Sequence, residues 1–94
     1  MQLLSIMKMQ GDPDEILAKM SEVEDVAARK APEYGAISNT VVKTDDGLMI
    51  INLWADEEGR HKLGNDPEMQ AALQKIDLTP DFKAYEVIRH RALD

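Results

Sequence analysis

Asn52 and Trp54 stand two residues apart at the end of the run Gly47-Leu48-Met49-Ile50-Ile51-Asn52-Leu53-Trp54. Alternate side chains of a strand project from the same face, so the amide and the indole would sit side by side with Leu48 and Ile50. Met49, Ile51 and Leu53 would form the opposite face. An amide among buried neighbours must find hydrogen-bond partners or lose roughly 1–3 kcal/mol. A ligand could supply those partners, with the indole stacked against it. A neighbouring backbone group could supply them equally well, with Trp54 then serving as a core anchor. Asn52 and Trp54 are therefore the first place to look for a bound molecule.

Few other residues could carry chemistry. Tyr34 and Tyr85 are the remaining polar aromatics, and on a strand running from Phe82 to Arg91 both Arg89 and Arg91 would share the face of Tyr85. A tyrosine and an arginine projecting into one cavity could orient an anionic substrate, and arginines near strand ends also make plain ion pairs at interfaces. His61 and His90 are the only imidazoles. His61 lies about one helical turn from Glu57 and Glu58, where it could pair with them on a solvated face or transfer a proton. Neither histidine belongs to a metal-ligand set. Cysteine is absent, which removes disulfides and thiolate chemistry and suits a cytoplasmic location. No Gly-rich phosphate loop, nucleophile elbow or paired-carboxylate arrangement is present, and the acidic runs beginning at Asp12 and Asp56 read as first-turn residues favoured by a helix dipole. No metal, flavin or haem is expected.

The bulk properties narrow the class. The 94 residues amount to one domain, and a domain of this size is short of core unless an interface adds to it. With 18 acidic against 11 basic residues and a net charge of -7, the surface is unsuited to nucleic acid or an anionic membrane. The first nine residues read as a strand and not as a signal peptide, and no apolar run is long enough to span a bilayer.

The elements that must position these side chains follow from periodicity and punctuation. Residues 2–10 alternate as a strand ended by Gly11. Asp12, Pro13 and Glu15 open a helix whose stripe of Ile16, Met20, Val23 and Ala27 needs a sheet to lie on, and Pro32 stops it. Ile37 to Lys43 reads as a second strand, joined through Asp45-Asp46-Gly47 to the strand ending in Trp54. Asp56 caps a short helix through Leu63, closed by Gly64, and Asp66-Pro67 opens another carrying Met69, Leu73 and Ile76. Phe82 to Arg91 reads as the last strand. The order strand, helix, strand, strand, helix pair, strand is that of the α+β, ferredoxin-like split βαβ arrangement, with four antiparallel strands and helices on one face.

In this arrangement the doubly apolar third strand predicts that the uncovered face of the sheet meets a second copy of the chain. With its hairpin ending in a tryptophan, its Trp54-Ala55-Asp56-Glu57-Glu58 leading into a helix and its Asn65-Asp66-Pro67 further on, the whole domain resembles the dimeric α+β barrel superfamily. Within it, the chain is similar to the small antibiotic-biosynthesis-monooxygenase-like proteins. That resemblance implies a homodimer. It also implies a cavity between helices and sheet in which electron-rich aromatic substrates are oxidised without metal or flavin. Asn52 would hold a phenolate or enolate oxygen and Trp54 would stack on the ring. Tyr34, His61, Tyr85 and Arg89 are the candidate substrate-binding residues around them. Some relatives degrade haem, using a histidine on the helix after the proline and an asparagine on the first strand. Leu73 stands where that histidine would be expected and the first strand has no asparagine, so both departures count against haem. A non-catalytic, ligand-binding or structural homodimer of the same fold is the alternative.

Overall fold

A computed structural model describes residues 1–93. In chain order the elements are β1 (Leu3–Gln10), α1 (Pro13–Lys30), β2 (Ala36–Lys43), β3 (Gly47–Trp54), α2 (Glu57–Gly64), α3 (Pro67–Lys75) and β4 (Asp81–Glu86). The strands form one antiparallel sheet in the order β2-β3-β1-β4. Each helical connection therefore skips a strand, which is the split βαβ, ferredoxin-like topology expected from the order of elements.

Each helix starts where the sequence provides an acceptor. Asp12 accepts from the backbone N–H of Glu15 at 3.1 Å, Asp56 from Gly59 at 2.8 Å, and Asp66 from both Glu68 and Met69 at 2.9 and 3.2 Å. These bonds satisfy donors that a first helical turn leaves unpaired. Pro13 and Pro67 occupy the first turn, where a missing N–H costs nothing. Gly64 does not close α2 in a left-handed cap. It is the last helical residue, and Asn65 caps the helix in right-handed geometry.

Two glycines are demanded by close approach. A Cβ on Gly47 would lie 1.9 Å from the Met9 carbonyl oxygen, and one on Gly59 would lie 1.7 Å from that of Tyr34. The second contact seats the backbone of α2 directly on the loop before β2, which fixes where the rest of α2 points.

The register assigns side chains to faces. Leu3, Ser5, Met7 and Met9 of β1 lie beside Trp54, Asn52, Ile50 and Leu48 of β3. This is the face the helices cover, and Ile16, Met20, Val23, Val26, Leu63, Met69 and Ala72 complete the buried core against it. The other face presents Leu4, Ile6, Met49 and Ile51, which are only half-buried, while Leu53 at its end is buried.

The last strand is shorter than its sequence suggests. β4 ends at Glu86, and its final backbone bond runs from the Val87 N–H to the Gln2 carbonyl at 2.9 Å. Arg89 and Arg91 consequently lie outside the strand and do not extend the face of Tyr85.

Candidate functional site

The helices do not fill the face they cover. A cavity of about 470 Å³ remains between α1, α2, α3 and the sheet, within the range of small-molecule sites. Its floor is made by Ile50, Asn52 and Trp54 of β3 with Ser5 and Met7 of β1. Met20, Val23 and Ala27 of α1 form one wall, and Arg60, Leu63, Met69 and Leu73 of α2 and α3 another. Asn39, Val41 and Phe82 lie at the sheet edges. The lining is mostly apolar with a few polar groups, the composition expected of a site for a small organic molecule.

The structure thus places Asn52 and Trp54 together on the floor of one cavity. Trp54 is 3% exposed, and its indole Nε1–H donates to Ser5 Oγ at 3.1 Å in the buried interior. This bond fixes the plane of the ring, so Trp54 is at once a core residue and part of the lining. Asn52 is half-buried, and its partner across the β2–β3 ladder is Asn39. Asn39 Nδ2 donates to Asn52 Oδ1 at 2.5 Å. Among the described residues, Asn52 is therefore held as an acceptor, while its own N–H donors remain available to a guest.

Four other sequence candidates lie elsewhere. Tyr34 is half-buried in the loop before β2 and its hydroxyl donates to Asp66 Oδ2 at 2.9 Å. His61 lies on the solvent side of α2, with Nε2 3.3 Å from Glu57 Oε1. That spacing gives a helix-surface pair. Tyr85 pairs with Leu4 and so belongs to the uncovered face of the sheet, 52% exposed. Arg89 follows β4, outside the strand. None of the four lines the cavity.

Tyr34 instead joins an ion cluster that ties α1 to α3. Lys30 Nζ lies 2.9 Å from both carboxylate oxygens of Asp66, which is 5% exposed. The Lys30 bond, helped by the Met69 N–H and the Tyr34 hydroxyl, draws the Asp66 carboxyl down to about 2 against its desolvation. The same bonds raise the Lys30 ammonium and the Tyr34 phenol. Arg29 and Glu68 pair at the exposed edge of this cluster.

The residue that sequence reasoning passed over is Arg60, one position before His61. Its guanidinium carbon lies 4.9 Å from the centre of the Phe82 ring, bridging α2 to β4. Its Nε is buried and has no hydrogen-bond partner among the described residues. The sequence did hold a weak signal. Helical spacing places Arg60 beside the face of the buried Gly59 and Leu63 and His61 on the far side of the helix from it. Phe82, Ser5 and Asn39 were missed because their roles depend on strand register, which only the folded sheet reveals.

A second hollow of about 540 Å³ lies at the opposite end of the sheet, lined by Lys8, Asp46, Asp77, Leu78 and Asp81 among others. It is a polar surface trough, removed from Asn52 and Trp54. Among the described residues no group of three histidine or acidic side chains is arranged to hold a metal ion. No described helix is long and apolar enough to cross a membrane.

No protein-family model matches this chain, and no curated protein sequence matches it. Solved structures do. The chain is similar to SnoaB, a cofactor-independent oxygenase from Streptomyces nogalater, at 14% identity and a TM-score of 0.70, over 95% of this chain and 93% of that one. It is similar to Rv0793 from Mycobacterium tuberculosis at 11% identity and a TM-score of 0.75, over 98% and 100% of the two chains. It is also similar to a dimeric ferredoxin-like protein of unknown function from Jannaschia sp. CCS1, at 12% identity and a TM-score of 0.73, over 93% and 100%. Identities this low establish the fold alone, a ferredoxin-like α+β fold shared with these three chains. The resemblance read from the hairpin and from Trp54 holds at that level.

Proposed function

We propose that this protein is a homodimer whose cavity takes up a small aromatic or apolar molecule bearing a phenol or enol oxygen, and that it oxidises that molecule with dioxygen and no cofactor. The observation that carries this reading is the juxtaposition in one apolar cavity of Trp54, fixed through Ser5, and Asn52, held by Asn39 with its donors free. The amide would stabilise the oxygen anion of a deprotonated phenol or anthrone, and the indole would pack against the ring. Such an anion is electron-rich enough to reduce dioxygen directly. For an anthrone, the methylene carbon gains one oxygen atom as a ketone and the other leaves as water. The likeness of fold to a cofactor-independent oxygenase supports the same reading. Dimerisation is supported by the half-buried apolar residues Leu4, Ile6, Met49 and Ile51 on the uncovered sheet face, and by the dimeric neighbour of the same fold.

One observation favours a second reading, a binding protein without catalysis. Among the described residues the cavity lining includes no histidine, and its one carboxylate, Glu24, is exposed on α1. Deprotonation would then fall to solvent or to the acidity of the substrate itself. Oxygen uptake with anthrone separates the readings. An oxygenase consumes one dioxygen per anthrone, and Asn52→Ala abolishes the consumption. Binding of anthrone with no uptake above the uncatalysed rate would establish the second reading.

A further inference from the structure

Among the described residues Arg60 is the one cationic side chain that lines the cavity, and one of its donors is left without a partner. At its outer end Nη2 lies 3.3 Å from His61 Nε2 and 3.9 Å from Glu57 Oε1, a loose contact near the surface. One face of the guanidinium is taken up by the ring of Phe82, 4.9 Å away. A ring on that face uses none of the five N–H donors, which all lie in the guanidinium plane. The inner donor, Nε–H, is buried without a partner. A group that is always charged thus leaves one donor buried and unsatisfied at the edge of an otherwise apolar wall.

The chemistry that completes such a group is specific. The Nε–H and a neighbouring Nη–H form a fork matched to the two oxygens of a carboxylate, and charge-assisted bonds of this kind are stronger than those a neutral acceptor makes. The rest of the lining is mainly apolar, with Ile37, Val41 and Leu73 its more accessible members over a floor of Ile50 and Trp54, and suits an apolar body. Glu24 also lines the cavity, but it is exposed on α1 and makes no pair with Arg60, so among the described residues the one carboxylate near the cation is Glu57, at 3.9 Å on the solvent side of α2. On a chain of net charge -7 a general attraction for anions is absent, and selection for one has to come from this single buried contact.

We propose that the molecule held in the cavity is an aromatic carboxylate, its acid group paired with Arg60 at the α2 wall and its ring lying toward Trp54. This rests on the reading of the cavity as a ligand site and adds the class of ligand.

The test compares 2-naphthoate with its neutral counterpart 2-naphthamide by nuclear magnetic resonance, following the indole N–H signal of Trp54, the chain's single tryptophan. Both probes should shift that signal, and the carboxylate should bind roughly ten- to a hundredfold tighter, the worth of one hydrogen bond to a charged group. Arg60→Gln should bring the two affinities together, and Arg60→Lys should recover part of the difference. Equal affinities in the unaltered protein overturn the carboxylate assignment and leave the cavity reading standing. If neither probe moves the Trp54 signal, the cavity reading falls and this inference with it. Because the pair of probes is compared on the unaltered protein first, the result stands even if a variant at Arg60 fails to fold.

Discussion

The two faces of the single sheet are built from the same strands and differ in what covers them. On the helix side, β1 and β3 contribute the buried Leu3, Met9, Leu48, Ile50 and Trp54, together with polar groups that have partners: Ser5 with Trp54 and Asn52 with Asn39. On the other side they contribute Leu4, Ile6, Met49 and Ile51, apolar and left half-covered. A one-residue slip in register would exchange the two sets. The covered face can hold a cavity because its helices lie over it without filling it. The uncovered face has no such enclosure, and its side chains suit the flat packing of sheet on sheet.

The largest effect is expected from breaking the covered face at Trp54. Trp54→Ala removes the largest side chain of that face along with the Ser5 bond, and should cost about 3–5 kcal/mol in chemical denaturation. Probe binding should be lost as well. Next comes the other face. Ile51→Asp should leave the monomer's core intact and place an unpaired charge in the proposed interface, weakening association by roughly 3 kcal/mol. Sedimentation should then show a dimer at micromolar concentration for the parent chain and a monomer for the variant. A folded parent monomer under the same conditions would remove the dimer from the proposal.

How much of this was legible beforehand follows the same division. Element order, the caps at Asp12, Asp56 and Asp66 and the two-faced β3 are local or periodic features, and the sequence displayed them. The pairing of Asn52 with Trp54 in one wall was legible because both lie on a single strand. Tyr34, His61 and Tyr85 were misplaced because their directions depend on contacts between distant segments: Tyr34 is drawn to Asp66, His61 is turned outward when Gly59 seats α2 on the Tyr34 carbonyl, and Tyr85 is set by its register opposite Leu4. Arg89 was misplaced because β4 ends at Glu86, and how far a strand pairs depends on its neighbour in the sheet, which the run Phe82 to Arg91 does not itself display.

Ser5→Ala sharpens the comparison within the covered face. Ser5 is 3% exposed and accepts the Trp54 indole N–H. Deleting its oxygen leaves that donor buried and unpaired, for a loss of about 1–3 kcal/mol in denaturant unfolding. Thr40, which faces the other side of the sheet and is exposed, should tolerate the equivalent Thr40→Ala change within about 0.5 kcal/mol.

Acid should loosen the helices before the sheet. The Asp66 carboxyl is held at about 2, below its ordinary value of 3.8, chiefly by Lys30. Because the folded state favours the ionised form, this contribution is present above pH 4 and is lost as the pH falls through about 2. Hydrogen exchange should therefore show α3 losing protection below pH 4 while β1 and β3 keep theirs. Asp66→Asn should remove the larger part of the pH dependence, leaving the part due to Glu68, whose carboxyl Arg29 and Lys30 also hold below its ordinary value, and an unchanged profile would show that Asp66 does not clamp α1 to α3.

The smallest change in stability is expected at Asn52, and it discriminates most between a site and a core. If Asn52 were a structural residue, its removal would strand a buried partner. Its one side-chain bond, however, is to Asn39, which is exposed and can turn to water when the acceptor is gone. Asn52→Ala should therefore cost under about 1 kcal/mol, because no buried donor is orphaned. Binding should respond differently, since the amide donors that face the cavity go with the side chain. The expected result is a variant that unfolds at nearly the parent's denaturant midpoint and binds a phenolic probe about tenfold more weakly, the worth of one hydrogen bond. A loss of 2 kcal/mol or more in stability with phenol affinity unchanged would place Asn52 with Ser5, among the residues that hold the covered face together, and would take it out of the candidate site.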